Sequence, residues 1–195
     1  MSFPYTLPTT GAISFADYFD AGEYSNELSE ATALRGRLRG ALKEAKREDE
    51  DARDFIRIMK VRGTRYNRRL PPVPRRHHRL HRNRHAKAQK RYCWRSTLGT
   101  SVLKQTQRVE CKGIYYDLIF TLLTYGYTSS MWASTLLAQV SGGADADKQY
   151  NKVADLLCTA AGIFAFVAEG VIPKWNSPDK NRPPEVVREL PAVLS

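Results

Sequence analysis

Ile114-Tyr115-Tyr116-Asp117-Leu118-Ile119-Phe120-Thr121-Leu122-Leu123 opens a run whose apolar and aromatic character continues through Tyr125, Tyr127, Met131, Trp132, Leu136, Leu137 and Val140. Ser141-Gly142-Gly143 interrupts the run, and glycine is a frequent stop just past a helix C-terminus. A second apolar series follows at mostly three- and four-residue spacing: Val153, Leu156, Leu157, Ala160, Ile163, Phe164, Phe166, Val167 and Val171. Asp145 or Asp147 is placed to cap this helix, which should run from Lys148 to about Val171 before Pro173. The two segments predict a helical hairpin, a unit that stacks into solenoids. No exact internal repeat is visible.

The hairpin raises the question of a membrane. Leu118 to Ala144 contains no charged residue and passes the length rule for a spanning helix. Thr121, Thr124, Thr128, Ser129, Ser130, Ser134, Thr135 and Gln139 dilute it, however, and Asp117 and Glu169 sit within the apolar helices, where a charge is costly in lipid. The charge-free centre of the second helix, Leu156 to Ala168, is too short to span. We expect a pair of helices buried against each other in water, with a small membrane hairpin protein as the competing class.

Upstream, residues 28–60 read as one amphipathic helix on Leu34, Leu38, Leu42, Ala45, Ala52, Phe55, Ile56 and Met59, with Gly36 and Gly40 weakening it by about 1 kcal/mol each. Its run Glu48-Asp49-Glu50-Asp51 reads as a solvated helix face. Residues 1–25, punctuated by Pro4, Pro8 and Gly11, should be extended or turned. Downstream, Trp175 to Pro184 reads as a loop and Glu185 to Leu190 as the start of another helix.

Charge is unevenly spread. Residues 55–109 hold seventeen of the 31 basic residues, all four His and none of the 20 acids; the remaining fourteen basic residues against 20 acids give −6, and adding +17 gives the net +11. The chain is thus mildly acidic with a basic insert. Residues 61–92 follow neither a 3.6 nor a 2.0 period, and Pro71, Pro72 and Pro74 exclude a helix there. We expect a disordered basic segment. It offers no RNP-like strand, recognition helix or zinc-finger spacing, and only Tyr66, Tyr92 and Trp94 as aromatics, so sequence-blind binding of phosphate or anionic lipid through residues 57–95 is the most it supports. Such binding should fall steeply between about 50 and about 200 mM salt.

Other chemistry is sparse. His77, His81 and His85 stand four apart, but Arg76, Arg79, Arg82 and Arg84 crowd them and no carboxylate is near, so no metal is expected. Cys93, Cys111 and Cys158 form no CxxC pair, and their odd number argues against a disulfide framework and for a reducing compartment. Arg95 beside Cys93 is a means of lowering a thiol pKa, but buried filler is the simpler reading of that cysteine. GxSxG, HExxH, GxxxxGK[ST] and GxGxxG are absent, so neither an enzyme nor a cofactor is expected. Met1-Ser2-Phe3-Pro4-Tyr5-Thr6 carries no secretory signal, Ser2 stands where myristoylation needs glycine, and no C-terminal CaaX is present.

The order of several blocks resembles a known family. Phe3-Pro4-Tyr5-Thr6-Leu7-Pro8-Thr9-Thr10, Leu34-Arg35-Gly36-Arg37-Leu38-Arg39-Gly40-Ala41-Leu42-Lys43, Cys93-Trp94-Arg95-Ser96-Thr97-Leu98 and Lys112-Gly113-Ile114-Tyr115-Tyr116-Asp117-Leu118 together look like the fungal palC pH-response regulator family. That family carries a Bro-type domain, the boomerang-shaped helical domain also found in ALIX. The resemblance implies a mostly α, TPR-like helical solenoid. Residues 1–60 would be its N-terminal part, 61–92 an unrelated basic insert and 93–195 its helical core, with further helices of the family expected beyond it. It implies a non-enzymatic adaptor of ambient alkaline-pH signalling, cytoplasmic and recruited to cortical plasma-membrane sites or endosomes. Its partners would be the core ESCRT-III filament subunit and other Pal components. The partner's C-terminal amphipathic helix would lie on an apolar patch, and Phe164, Val167 and Val171 share one helix face that would supply part of it; core filling is the other reading of those three residues. Residues 61–92 depart from the family, and Lys60-Val61-Arg62 can be encoded by a splice-donor-like AAG-GTNCGT. The insert is therefore expected to be translated intron or an out-of-frame exon, which transcript sequencing across codons 55–100 would test.

Overall fold

A computed structural model describes residues 7–19, 24–46, 91–97, 108–143, 145–176 and 182–187. Over these the chain is mostly helical with one small sheet. The helices are α1 (Ser25–Ala45), α2 (Ile114–Gln139) and α3 (Ala146–Phe166). Strands β1 (Thr9–Thr10), β2 (Arg91–Arg95) and β3 (Arg108–Lys112) pair antiparallel in the order β1-β2-β3.

The expected hairpin is present: α2 and α3 pack along each other. Their crossing is close at Gly126, where an added Cβ would lie 2.5 Å from Cε1 of Phe164. Only a residue without a side chain lets the Phe164 ring seat there. The hydroxyls that dilute α2 cost little, because they are satisfied within the helix. Thr121, Thr124, Thr128 and Ser129 donate to the carbonyls of Asp117, Phe120, Thr124 and Tyr125 at 2.7–2.9 Å. This lets the stretch from Tyr116 to Ser129 be buried on most sides.

Several local expectations are corrected. Helix α2 ends with Val140 in an extended conformation (φ −65°, ψ 110°), not on a left-handed glycine. Gly113 alone among the described glycines has positive φ (99°); it turns β3 into α2. Asp145 occupies the cap position of α3, but its carboxylate accepts from Lys148 Nζ at 2.9 Å and bonds no backbone N–H. Helix α3 does not stop near Val171 in α geometry: Val167–Val171 form a π-helical turn, followed by the 3-10 turn Ile172–Lys174. Where a helix was expected from Glu185, the chain makes a 3-10 turn, Pro184–Val186.

Of the helix read over residues 28–60, α1 accounts for the first part; residues 47–60 lie outside the described residues. Leu38, Ala41, Leu42 and Ala45 form its buried stripe. Thr32 Oγ1 accepts the Phe15 N–H at 3.0 Å and so fastens the 3-10 turn Phe15–Asp17 to α1.

The sheet was not anticipated. In β2, Tyr92 and Trp94 turn inward and are buried, while Arg91, Cys93 and Arg95 point the other way, the period-2 alternation of a half-buried strand. Strand β2 begins at Arg91, so its first two residues fall on the insert side of the boundary drawn at residue 92. Residues 61–90, and with them the expected disorder of the insert, lie outside the described residues. The described residues of 7–46 and of 91–187 contribute to one hydrophobic core. Trp94 stacks on Phe120 with centroids 5.3 Å apart, Tyr116 packs on Phe120 at 5.1 Å, and Trp175 covers Tyr116 at 5.5 Å.

Candidate docking surface

Side chains at the junction of sheet and helices hold the scaffold rigid. Asp117, at the start of α2, is buried inside the core. Its Oδ1 accepts from Arg35 Nη2 at 2.7 Å and from Trp94 Nε1 at 2.8 Å, and its Oδ2 from Arg35 Nε at 3.1 Å. Arg35 also donates to Thr10 Oγ1, and its guanidinium lies 4.5 Å from the Trp94 ring centroid. One ion pair thus joins β1, α1, β2 and α2. It is a buried structural ion pair whose side chains are 5% and 6% exposed. A second buried carboxylate, Glu185, accepts from Ser96 Oγ and the Thr97 N–H, both at 2.6 Å, and ties the C-terminal turn to the end of β2.

The surroundings of Cys93 disfavour its thiolate. Burial pushes its thiol pKa up, Glu110 across the sheet adds to that, and Arg108 and Arg95 only partly oppose it. None of the three cysteines forms a disulfide among the described residues. The described residues also include no metal-holding cluster of His, Cys, Asp or Glu; His77, His81 and His85 lie outside them.

The three residues expected to form a partner ridge are interior. Phe164, Val167 and Val171 are 4%, 0% and 3% exposed. Phe164 seats against Gly126 and Tyr127, and the other two pack on the same core. That assignment is corrected: these side chains fill the core and present no ridge. The reason is periodicity, since the strongest apolar stripe of an amphipathic helix is the one the protein itself covers.

Besides Phe166, which is 54% exposed, α3 shows an apolar shoulder about a quarter turn around from that stripe. Tyr150 and Leu157 are 51% and 45% exposed, Ala154 and Cys158 are exposed, and Ala161 and Ala165 are half-buried. Spacings of 4, 3, 4 and 4 through residues 150, 154, 157, 161 and 165 line them up along the helix. Polar Asn151 and Asp155 border the shoulder on the side away from the core. On the opposite flank of the helix, across the buried stripe, Lys152 rests 4.8 Å from the Trp132 ring centroid of α2. By length and composition alone, Ala146–Lys174 is apolar enough to cross a membrane, and a third of its most apolar window is buried inside the protein.

The aromatics counted toward nucleic-acid binding are also unavailable: Tyr92 and Trp94 are buried at 2% and 0% exposure, and Tyr66 lies outside the described residues. Comparison with known proteins returns no matching family model, no matching curated protein and no matching solved structure.

Proposed function

We propose that the chain is a non-enzymatic adaptor of the fungal alkaline-pH response, of palC type, built on part of a Bro-type helical solenoid. It acts without metal or cofactor, in the cytoplasm and at cortical membrane sites or endosomes, by binding an ESCRT-III filament subunit. The observation that carries the reading is the exposed apolar shoulder of α3. An amphipathic partner helix would lay its apolar face along Tyr150, Ala154, Leu157 and Ala161. Asn151 and Asp155 would form part of a polar rim that sets its orientation. The ordered sequence blocks described above support the family assignment.

The test is direct binding of the full chain to the C-terminal helix of the core ESCRT-III subunit, followed by calorimetry. Leu157→Asp should weaken binding by about tenfold or more with unchanged far-UV circular dichroism, about 1.4 kcal/mol or more in binding free energy. Val167→Asp, which buries a charge in the core, should instead unfold the protein. Absence of binding by the unmodified chain would reject the adaptor function.

A further inference from the structure

Strands β2 and β3 set Arg95 directly opposite Arg108, and β1 sets Thr9 on the other side of Arg95. Directly paired residues share a face of the sheet, and their side chains leave it about 5 Å apart. Tyr92 and Trp94 point to the other face and are buried in the core, so the row of Thr9, Arg95 and Arg108 faces outward. Arg108 is exposed and Arg95 half-buried. Cation opposite cation destabilises a strand pair. Neither guanidinium forms an ion pair among the described residues. Arg95 Nε is moreover buried without a hydrogen-bond partner, and an unsatisfied buried donor is costly. Glu110 stands one row away, opposite Cys93, and accepts the Cys93 thiol hydrogen. Charges on a strand can serve to discourage edge-to-edge pairing. Arg95 has no such task, because β2 is the central strand and both its sides are paired.

We propose that the row of Thr9, Arg95 and Arg108 binds the phosphate of a phosphorylated serine or threonine on another protein. Two planar forks offer four N–H donors to the three terminal oxygens of a phosphate monoester, and the dianion offsets both facing cations. A carboxylate brings one charge and two oxygens and leaves one cation over. Glu110 reads a second position. Alternate residues of an extended chain advance about 7 Å, so a lysine two residues from the phosphate meets that carboxylate, and an acid there is repelled. Other sources of phosphate fit less well. Nucleic-acid bases find no stacking platform, because Tyr92 and Trp94 face inward. A bilayer finds no large apolar side chain on this row or on that of Cys93 and Glu110. A small phosphorylated metabolite finds an open strand face instead of an enclosing cavity.

The test uses the full chain and short fluorescent peptides at about 0.15 M salt, where long-range attraction is largely screened. A peptide with phosphoserine two residues from a lysine should bind about tenfold or more tighter than its versions with serine or glutamate in place of the phosphoserine. Arg108→Gln should remove that preference without lowering the melting temperature, because it relieves a like-charge pair. In a Cys158→Ser background, which removes the exposed thiol, the phosphopeptide should also slow alkylation of Cys93 at about pH 9 by about threefold or more. The bound phosphate offsets the Arg108 and Arg95 charges that favour the Cys93 thiolate, an effect that binding at a distant basic segment does not produce. Equal binding of the peptides would overturn the proposal, as would an unchanged preference in Arg108→Gln or an unchanged Cys93 rate. So would Arg108-dependent binding of oligothymidine or of phosphatidic acid vesicles that displaces the phosphopeptide.

Discussion

Asp117 shows what one side chain can decide. It neutralises Arg35 inside the core and accepts the Trp94 indole, so α1, α2 and β2 meet at its two oxygens. Replacing it with alanine leaves a guanidinium buried and unpaired, and Asp117→Ala should lose about 3–5 kcal/mol of stability by urea unfolding. Arg35→Met combined with Asp117→Leu should recover much of that loss, because the charge then goes with its partner. Gly126 is the second such position. Gly126→Ala drives a methyl into the Phe164 ring and should cost about 1–3 kcal/mol, visible as a lower urea midpoint. In the sequence Asp117 stood out only as a charge in an apolar helix, where it counted against a membrane. Its counter-ion lies 82 residues away, and no local pattern links the two.

At the scale of elements, periodicity made the hairpin legible and left the sheet hidden. Apolar spacing found α2 and α3 to within a few residues at most of their ends. The same spacing drew attention to Phe164, Val167 and Val171, which are buried because they belong to the strongest stripe. The exposed shoulder of Tyr150 and Leu157 is legible only once one knows which side α2 covers. The sheet hid for a different reason: β2 is five residues long and abuts the basic tract, so its alternation of Arg91, Tyr92, Cys93, Trp94 and Arg95 read as part of a charged run. Helix α1 offers a propensity test. An added Cβ at Gly36 or Gly40 would meet no atom within 4 Å. Gly36→Ala and Gly40→Ala should therefore each stabilise the protein by about 1 kcal/mol, raising the urea midpoint without changing the slope.

For the whole molecule, three of the described tyrosines weaken the fold in alkali. Burial is the main cause that raises the pKa of Tyr18, Tyr92 and Tyr116 above the ordinary tyrosine value, and nearby negative groups add to it. Their folded forms hold the phenol proton more tightly than the unfolded chain does. Stability from this source is fully present below about pH 10 and is lost as pH rises above it. The raised Cys93 thiol adds a loss that begins earlier, so urea midpoints should be flat from about pH 7 to 8, soften from about 8.5 and fall further beyond about 10. Tyr92→Phe should soften the fall.

The pairing of Thr9 and Thr10 with Arg95 and Trp94 has a consequence for biosynthesis. A ribosome releases α1 long before it makes Trp94 or Asp117, so the first helix is born without its counter-ion. The nascent arm must wait, with Arg35 in water, until the hairpin emerges and recruits it. Closing so large a loop is only weakly sensitive to its length, and removing some thirty residues from between the two strands would change the closure entropy by roughly 0.4 kcal/mol. Transcripts differing in the stretch between α1 and β2 could therefore yield the same assembled core.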